Sequence, residues 1–437
     1  METIKIAEET RKKEHQTGTH IALSLFTFML CAILIGMIGF WRTGQISTAF
    51  SIYGWGMIIY LVIKTGLSMF YRRDKHLPPN LDVTVVIPLY NESKEALFRL
   101  LAGLEKQTYP VKEIFIVDDG SPEDILDELI NDLRRNMSPE FVRKIHAHKL
   151  SKNQGKRFAQ AYAFKKSTGD VFFTMDSDGE IYPDTLYELM RPFSNDKVQA
   201  VTGHINARNR KSSLLSYLLD MRYDNAFRVE RASQSVTGNI LVCSGPISCY
   251  RRAIVMDNLD RYLNQTVLGA PAHVGDDRCL TNYANERGKT VYQESAKCVT
   301  DVPEKMSVFL KQQTRWSKSF FRETFISMKL IMKKPFIFLW SITEIALWVI
   351  FLMAVVYNII FHFWDLTWQD WLFYLLLSCL SAYARNVHYM FKYPFCYLLA
   401  PIYGFIHFFT IHIVRIIALC TLRVNKWGTR SETIKMD

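Results

Sequence analysis

No Cys-x-x-Cys pair occurs among the eight cysteines, which stand at positions 31, 243, 249, 279, 298, 379, 396 and 420. That absence removes the common zinc-ligand spacing and any legible disulfide frame, so the thiols are expected to be reduced. No internal repeat and no low-complexity tract is present, which excludes solenoids and arrays. Residues 21–40 carry no charge at all. No small-residue cleavage pattern follows them, and the run is too long for a signal-peptide core, so it reads as a retained span.

What is there divides sharply. A mean hydropathy of +0.01 over 437 residues averages apolar blocks at both ends with an ordinary charged middle. Residues 52–70 form a second apolar run, carrying Lys64 and ending in Tyr71-Arg72-Arg73-Asp74-Lys75. Basic residues before the first run and after the second predict that both flanks, and hence the middle of the chain, are cytoplasmic. The 53 Lys and Arg exceed the 42 Asp and Glu by 11. Because these cations flank apolar segments, lipid head groups and a nucleotide diphosphate fit them better than nucleic acid.

Five regions are expected: a two-span anchor (1–76), a soluble block (77–305), an amphipathic interface helix (306–334), a C-terminal membrane region (335–422) and a cytoplasmic tail (423–437). The soluble block alternates strands (83–88, 113–117, 171–175) with helices (94–107, 124–135, 158–166), the pattern of a parallel α/β sheet. Ligands bind such sheets beyond the carboxyl ends of the strands. Further on, residues 309–330 mix apolar and basic side chains as a helix at a membrane surface does. Residues 336–361, with Glu344, and 371–390, with Arg385, read as spans joined by a loop (362–370) without Lys or Arg. A single crossing by 394–422 would put the basic tail outside, so a re-entrant or hairpin arrangement broken near Pro401 to Gly404, with the tail inside, is expected.

The polar residues fall at the strand ends. Asp176-Ser177-Asp178 offers two carboxylates one residue apart, able to hold a hard divalent cation that also binds phosphate; alone, the pair would read as solvated turn residues. Asp118-Asp119-Gly120-Ser121 suits a base or ribose, or an ordinary Asp-Gly turn. Asn153-Gln154-Gly155-Lys156-Arg157 supplies cations for the anionic part of a nucleotide, or is a solvated basic loop. Gly275-Asp276-Asp277-Arg278 precedes a helix; Asp277 is the candidate base of an inverting sugar transfer, while helix capping is the plainer alternative. In Gln312-Gln313-Thr314-Arg315-Trp316 an arginine suits pyrophosphate and an indole suits a sugar ring, although both residue types are common at membrane interfaces. Residues 239–246 bring Cys243 and Ser244 toward an acceptor, with no paired base to make the thiol a nucleophile.

In this order, VVIPLYNE, VDDGS, NQGKR, MDSDG, GDDR and QQTRW resemble the processive glycosyltransferases of family 2, the hyaluronan, chitin and cellulose synthases. Residues 222–246, the Asn264-Gln265-Thr266 neighbourhood and Trp427-Gly428-Thr429-Arg430 look most like streptococcal-type hyaluronan synthases. The resemblance implies a GT-A-like α/β domain with transmembrane and interfacial helices, a multi-pass place in the plasma membrane, and polymerisation of GlcNAc and GlcUA from UDP-GlcNAc and UDP-GlcUA. Carried over by residue, Asp119 and Lys156 would meet the uridine end, Asp176 and Asp178 the UDP and its Mg²⁺ or Mn²⁺, with Asp178 the metal ligand. Asp277, beside Asp276, would be the base; Gln312, Arg315 and Trp316 would hold diphosphate and acceptor; Cys243 and Ser244 would adjoin the acceptor; Trp427 and Arg430 would lie on a gating loop. The growing hyaluronan chain and membrane lipids are the expected partners, without nucleic acid or an obligatory protein. Arg208, Arg210 and Arg252 are the candidates for reading the GlcUA carboxylate. A chitin-type synthase using one donor, a lipid-linked sugar transferase and a non-catalytic scaffold are the alternatives.

Overall fold

The computed structural model describes residues 48–361, 375, 378–379 and 381–424, apart from Asp124 and His273. The expected first span, the 362–370 loop and the tail residues Trp427 and Arg430 lie outside the described residues.

Eight strands form one mixed sheet: β1 (Val83–Leu89), β2 (Glu113–Asp118), β3 (Ile145–Lys149), β4 (Val171–Thr174), β5 (Glu180–Ile181), β6 (Val198–Ala207), β7 (Ser248–Arg251) and β10 (Lys289–Thr300). Their spatial order is β3-β2-β1-β4-β7-β6-β10-β5, while β8 (Thr266–Val267) and β9 (Ala270–Pro271) make a separate hairpin. β3, β2, β1 and β4 run parallel, and β7 is antiparallel to both β4 and β6. Every residue of β1, β2 and β4 is buried, which is why these segments read as unbroken Val/Ile/Phe runs: helices cover both faces. The helix Lys94–Glu105 shows how one face is closed. Ser93 caps it by accepting from the Ala96 N–H, and Leu97, Leu100, Leu101 and Leu104 are buried along its inner stripe. Each such leucine contributes about 1.5–3 kcal/mol of burial free energy. Leu89 lies level with Asp118 across β1 and β2, so the polar turns after both strands open at the same sheet edge.

Three helices among the described residues are long and apolar enough to cross a membrane, over Ile52–Met69, Pro335–Asn358 and Phe395–Cys420. Lys64 and Glu344 meet across two of them at 3.2 Å, and Tyr60 donates to the same carboxylate at 3.1 Å. An ionisable group in a span needs such a partner.

Two expectations need correction. The C-terminal block has no break at Pro401 to Gly404: Ala400–Cys420 is one helix, and Pro401 sits in its first turn, where a missing N–H costs nothing. Gly404 serves close packing, since a Cβ there would lie 3.2 Å from that of Ala382. The chain is interrupted earlier, at the short helices Val387–Lys392 and Pro394–Tyr397. The interface helix also departs from the reading over 309–330. It runs Met306–Ile326, gives way to a second short helix, Met328–Lys333, and buries Arg322 and Glu323. One part packs on the catalytic domain, while Phe320 and Phe321 pack with Trp348, Ala418 and Leu422 of the membrane helices.

Candidate active site

Three loops meet at the carboxyl edge of the sheet and are stitched together. Both oxygens of Asp119 accept backbone N–H groups of the NQGKR loop, from Gln154 at 2.9 Å and Gly155 at 2.8 Å. Gly120, at φ +73°, lets that loop come so close that a Cβ would stand 2.6 Å from the Lys152 carbonyl carbon. Ser121 donates to Asp118 at 2.6 Å and accepts the Asn91 N–H at 2.7 Å, and Ser177 donates to Glu92 at 2.8 Å. Asp119 therefore shapes the loop that lines the site. Burial pushes its carboxyl up to about 6 against the pull of those two N–H donors.

The NQGKR loop becomes the helix Lys156–Lys166, and its first residue reaches the centre of the site. The Lys156 ammonium lies 2.7 Å from Asp176 and 3.0 Å from Asp276, bridging the Asp-Ser-Asp turn to the Gly-Asp-Asp turn. Burial opposes its charge, but the two carboxylates outweigh burial and hold it well above the ordinary lysine range. Asp276 and Asp277 open the helix Asp276–Arg287 after Gly275, at its positive end. Their environments separate them. Burial disfavours ionised Asp276, yet Lys156 overcomes it and keeps this carboxyl below the usual range. Asp277 is raised by burial and then by the charge of Asp276. Neighbouring acids driven apart in this way offer one fixed anion and one proton acceptor.

The opposite wall comes from the interface helix. Gln312, Gln313, Arg315 and Trp316 line the same cavity, of about 1250 Å³, as Asp119, Lys156, Asp176, Asp178, Asp276 and Asp277. Gln312 Oε1 is buried and accepts no hydrogen bond from the described residues, and the Trp316 ring stands 6.4 Å from that of Tyr223. Ser244 lines the cavity but Cys243 does not: its side chain is fully buried behind the wall, with burial pushing the thiol up to about 12, so its expected place at an acceptor is corrected. Its backbone N–H donates to Thr281 at 2.9 Å, and Thr281 donates to the Asp277 carbonyl at 2.6 Å, so the cysteine belongs to the scaffold under the carboxylate.

Arg210 and Arg252 lie off the cavity wall, whereas Arg208 borders it through Asp301, which lines the cavity. Arg208 pairs with Asp301, Arg210 stacks 3.6 Å over Tyr393, and Arg252 donates to the Ser167 carbonyl at 2.7 Å. The cations that do line the wall include Arg222, Arg231 and Arg278. Sequence reasoning missed Arg222, on the helix Leu214–Asn225, and Arg231, whose facing is set by a π-helical turn, Ala226–Arg231. Such turns have no sequence signature and recur at functional sites. Glu344, Tyr403, His407 and Arg415 of the membrane helices complete the wall, and charges inside apolar helices were the available signal.

Among the described residues no group of three or more His, Cys, Asp or Glu could hold a metal ion. Two carboxylates, Asp176 and Asp178, do face one cavity. One or two carboxylates completed by phosphate oxygens and water is the usual donor set for Mg²⁺, so the residues fit a cation that arrives with a diphosphate.

Gly275 carries a testable consequence of this packing. At φ +96°, a Cβ on it would lie 2.2 Å from Ser319 Oγ of the interface helix. Gly275→Ala is expected to cost about 3 kcal/mol, from backbone strain and overpacking together. Thermal unfolding in detergent should show the loss, and Ser319→Ala in the same chain should recover part of it.

The model of glycosyl transferase family 2 matches residues 84–259. The hyaluronan synthase of Streptococcus pyogenes is 49% identical over 382 residues, covering 87% of this chain and 91% of that one. An N-acetylglucosaminyltransferase of Mesorhizobium japonicum is 35% identical over 291 residues, covering 63% of this chain and 66% of its own. In fold, the chain is similar to the mannosyltransferase PcManGT from Pyrobaculum calidifontis, solved with GDP-Man and Mn²⁺, at a TM-score of 0.58 with 15% identity, over 91% of this chain and 98% of that one. With a GT-A-like sheet, acidic turns at its ligand edge, and 49% identity to a streptococcal enzyme across 87% of this chain and 91% of that one, the chain belongs to the hyaluronan synthases of glycosyltransferase family 2.

Proposed function

We propose that this enzyme adds GlcNAc and GlcUA alternately from UDP-GlcNAc and UDP-GlcUA and passes the resulting hyaluronan across the plasma membrane from a cytoplasmic catalytic domain. The observation that carries the reading is the continuity of one cavity, from Asp119 and Asp178 past Asp277 to Glu344 and Arg415 of the membrane helices. A product released at Asp277 is already at the mouth of the helix bundle.

In this reading the loop shaped by Asp119 receives the uridine end. Asp178, with Asp176 beside it, holds Mg²⁺ or Mn²⁺, which when bound neutralises charge on the departing diphosphate. Lys156 and Arg315 add cationic contacts on the same wall. Gln312 Oε1, already desolvated without a donor, accepts from a sugar hydroxyl or amide, and the half-exposed Trp316 ring stacks on the acceptor. Asp277 takes the proton of the acceptor hydroxyl as that oxygen bonds to the anomeric carbon. The bond from that carbon to the phosphate oxygen breaks, UDP leaves, and the configuration inverts. Trp427 and Arg430 are proposed to lie over the nucleotide. Ser244, at the acceptor side, supplies a hydroxyl, whereas Cys243 acts only through the scaffold.

Purified enzyme given both donors and Mg²⁺ is expected to make high-mass polymer, and to make none when either donor is withheld. Polymer from UDP-GlcNAc alone would assign a chitin-type product instead, and a glycolipid product would assign a lipid acceptor.

A further inference from the structure

Behind the cavity wall lies a buried ion pair that does not itself line the cavity. Arg157, next in sequence to Lys156, and Glu323 of the interface helix approach to 3.5 Å, with side chains 0% and 1% exposed. The neighbours of this pair lie on the helix that begins at Asp276 and on the short segment from Leu259 to Gln265 beside it. Arg157 donates to the Gln265 side chain at 2.6 Å and to the Tyr262 carbonyl at 2.9 Å. Asn282, on the helix that begins at Asp276, donates to the other Glu323 oxygen at 3.1 Å. Tyr262 donates to Gln160 at 2.5 Å, and Gln160 donates to Asp276 at 3.3 Å. The cluster thus closes a ring from the Gly-Asp-Asp turn through the NQGKR helix to the interface helix.

Helical geometry says what the ring controls. Residues 312, 316, 319 and 323 follow the i, i+4, i+7, i+11 stripe, so Glu323 shares a face with Gln312, about 16 Å away along the axis, and Trp316, about 10 Å away. On that stripe Ser319 abuts Gly275, and Glu323 meets Asn282 of the same helix. Two contacts on one face fix both the sliding and the rotation of the interface helix against the Asp276–Arg287 helix. From the other side Arg322 donates to the Leu422 carbonyl at 2.9 Å, at the end of the Ala400–Cys420 helix. Burying a charge pair this completely is costly, and its loss by half leaves an uncompensated ion.

We propose that Arg157 and Glu323 are positioning residues: their ion pair sets the register at which Gln312 and Trp316 face Asp277, and so couples donor cleavage to transfer onto the acceptor. This rests on the reading that the interface helix holds the acceptor. Displacing a positioned group by an ångström costs turnover rather than donor affinity.

The test uses full-length enzyme in detergent with the donors that wild type consumes. Glu323→Gln, which keeps the shape but drops the charge, is expected to lower kcat for sugar incorporation about tenfold or more, with donor KM within about twofold, and to release more UDP than sugar incorporated. A kcat within about twofold of wild type, or a change confined to KM, would overturn the proposal. Should Glu323→Gln fail to fold, Asn282→Ala keeps the ion pair and removes one of its fastenings; a kcat loss of about threefold at constant KM is expected, and no loss overturns the idea. The pair Arg157→Met with Glu323→Met removes both buried charges. Recovery of thermal stability without recovery of kcat supports positioning, while recovery of both means the pair serves folding alone. The wild-type product, scored first, keeps the donor assignment separate: a different polymer would displace that assignment and leave the variant comparison intact.

Discussion

Asp277→Asn is expected to lower polymer synthesis by about 10³-fold, within the range that removal of a general base produces. The substitution is nearly isosteric, and the Arg278 N–H that now donates to Asp277 Oδ1 at 2.8 Å can donate to the amide oxygen instead. The fold and the donor pocket should therefore persist, with UDP affinity within about twofold of wild type by titration. The neighbouring acid cannot stand in. Asp276 is bound by Lys156 at 3.0 Å and held below the usual carboxylate range, so it remains a poor proton acceptor. The pH profile gives a second readout. Burial and the charge of Asp276 raise the Asp277 pKa, so the active, deprotonated base is lost as pH falls through a value above that of an ordinary aspartate. That acid limb should vanish from the residual rate of the variant. Undiminished synthesis would remove Asp277 from the chemistry and revive a scaffold role for the Gly-Asp-Asp turn.

The contrast between Asp276 and Asp277 marks where reading the sequence stopped. β1, β2 and β4 were legible because each is a short apolar run that ends at a polar turn, and burial on both faces demands that composition. By the same logic the Asp118–Ser121 and Asp176–Asp178 turns were expected to follow strands, as they do, whereas Gly275–Arg278 was legible only as the start of a helix. What each carboxylate does there depends on Lys156, which the fold brings within 3.0 Å of two aspartates distant from it in sequence. No spacing rule reports that contact. Asp119 shows the same limit: its motif suits a ribose, but its oxygens are spent on the backbone of the adjoining loop. Pro401 misled because proline ends a helix only when it falls inside one, and the start of the Ala400–Cys420 helix is decided by packing of the preceding segment. Arg210 and Arg252 misled because an arginine is as readily spent on an aromatic face or a carbonyl as on a ligand.

Chelating divalent cations should abolish polymer synthesis, with Mg²⁺ or Mn²⁺ restoring it, and Asp178→Asn should lower it by about 10²-fold or more at ordinary Mg²⁺. The two aspartates of the turn are not equivalent. Asp176 is engaged by Lys156 at 2.7 Å and lies against Gly245, whose absent Cβ would stand 3.2 Å from its second oxygen. That carboxylate already has a cation beside it. Asp178 is the proposed ligand, and a weakened site should be refilled by mass action. For Asp178→Asn, raising Mg²⁺ should restore part of the rate, with half-saturation shifted upward by about tenfold. For Asp176→Asn, added Mg²⁺ should not help, because the lost charge had also fixed Lys156 between the two acidic turns, and the ammonium would swing toward Asp276 alone. Equal rescue of both variants would mean that the two carboxylates share the cation, and rescue of Asp176→Asn alone would reverse their roles.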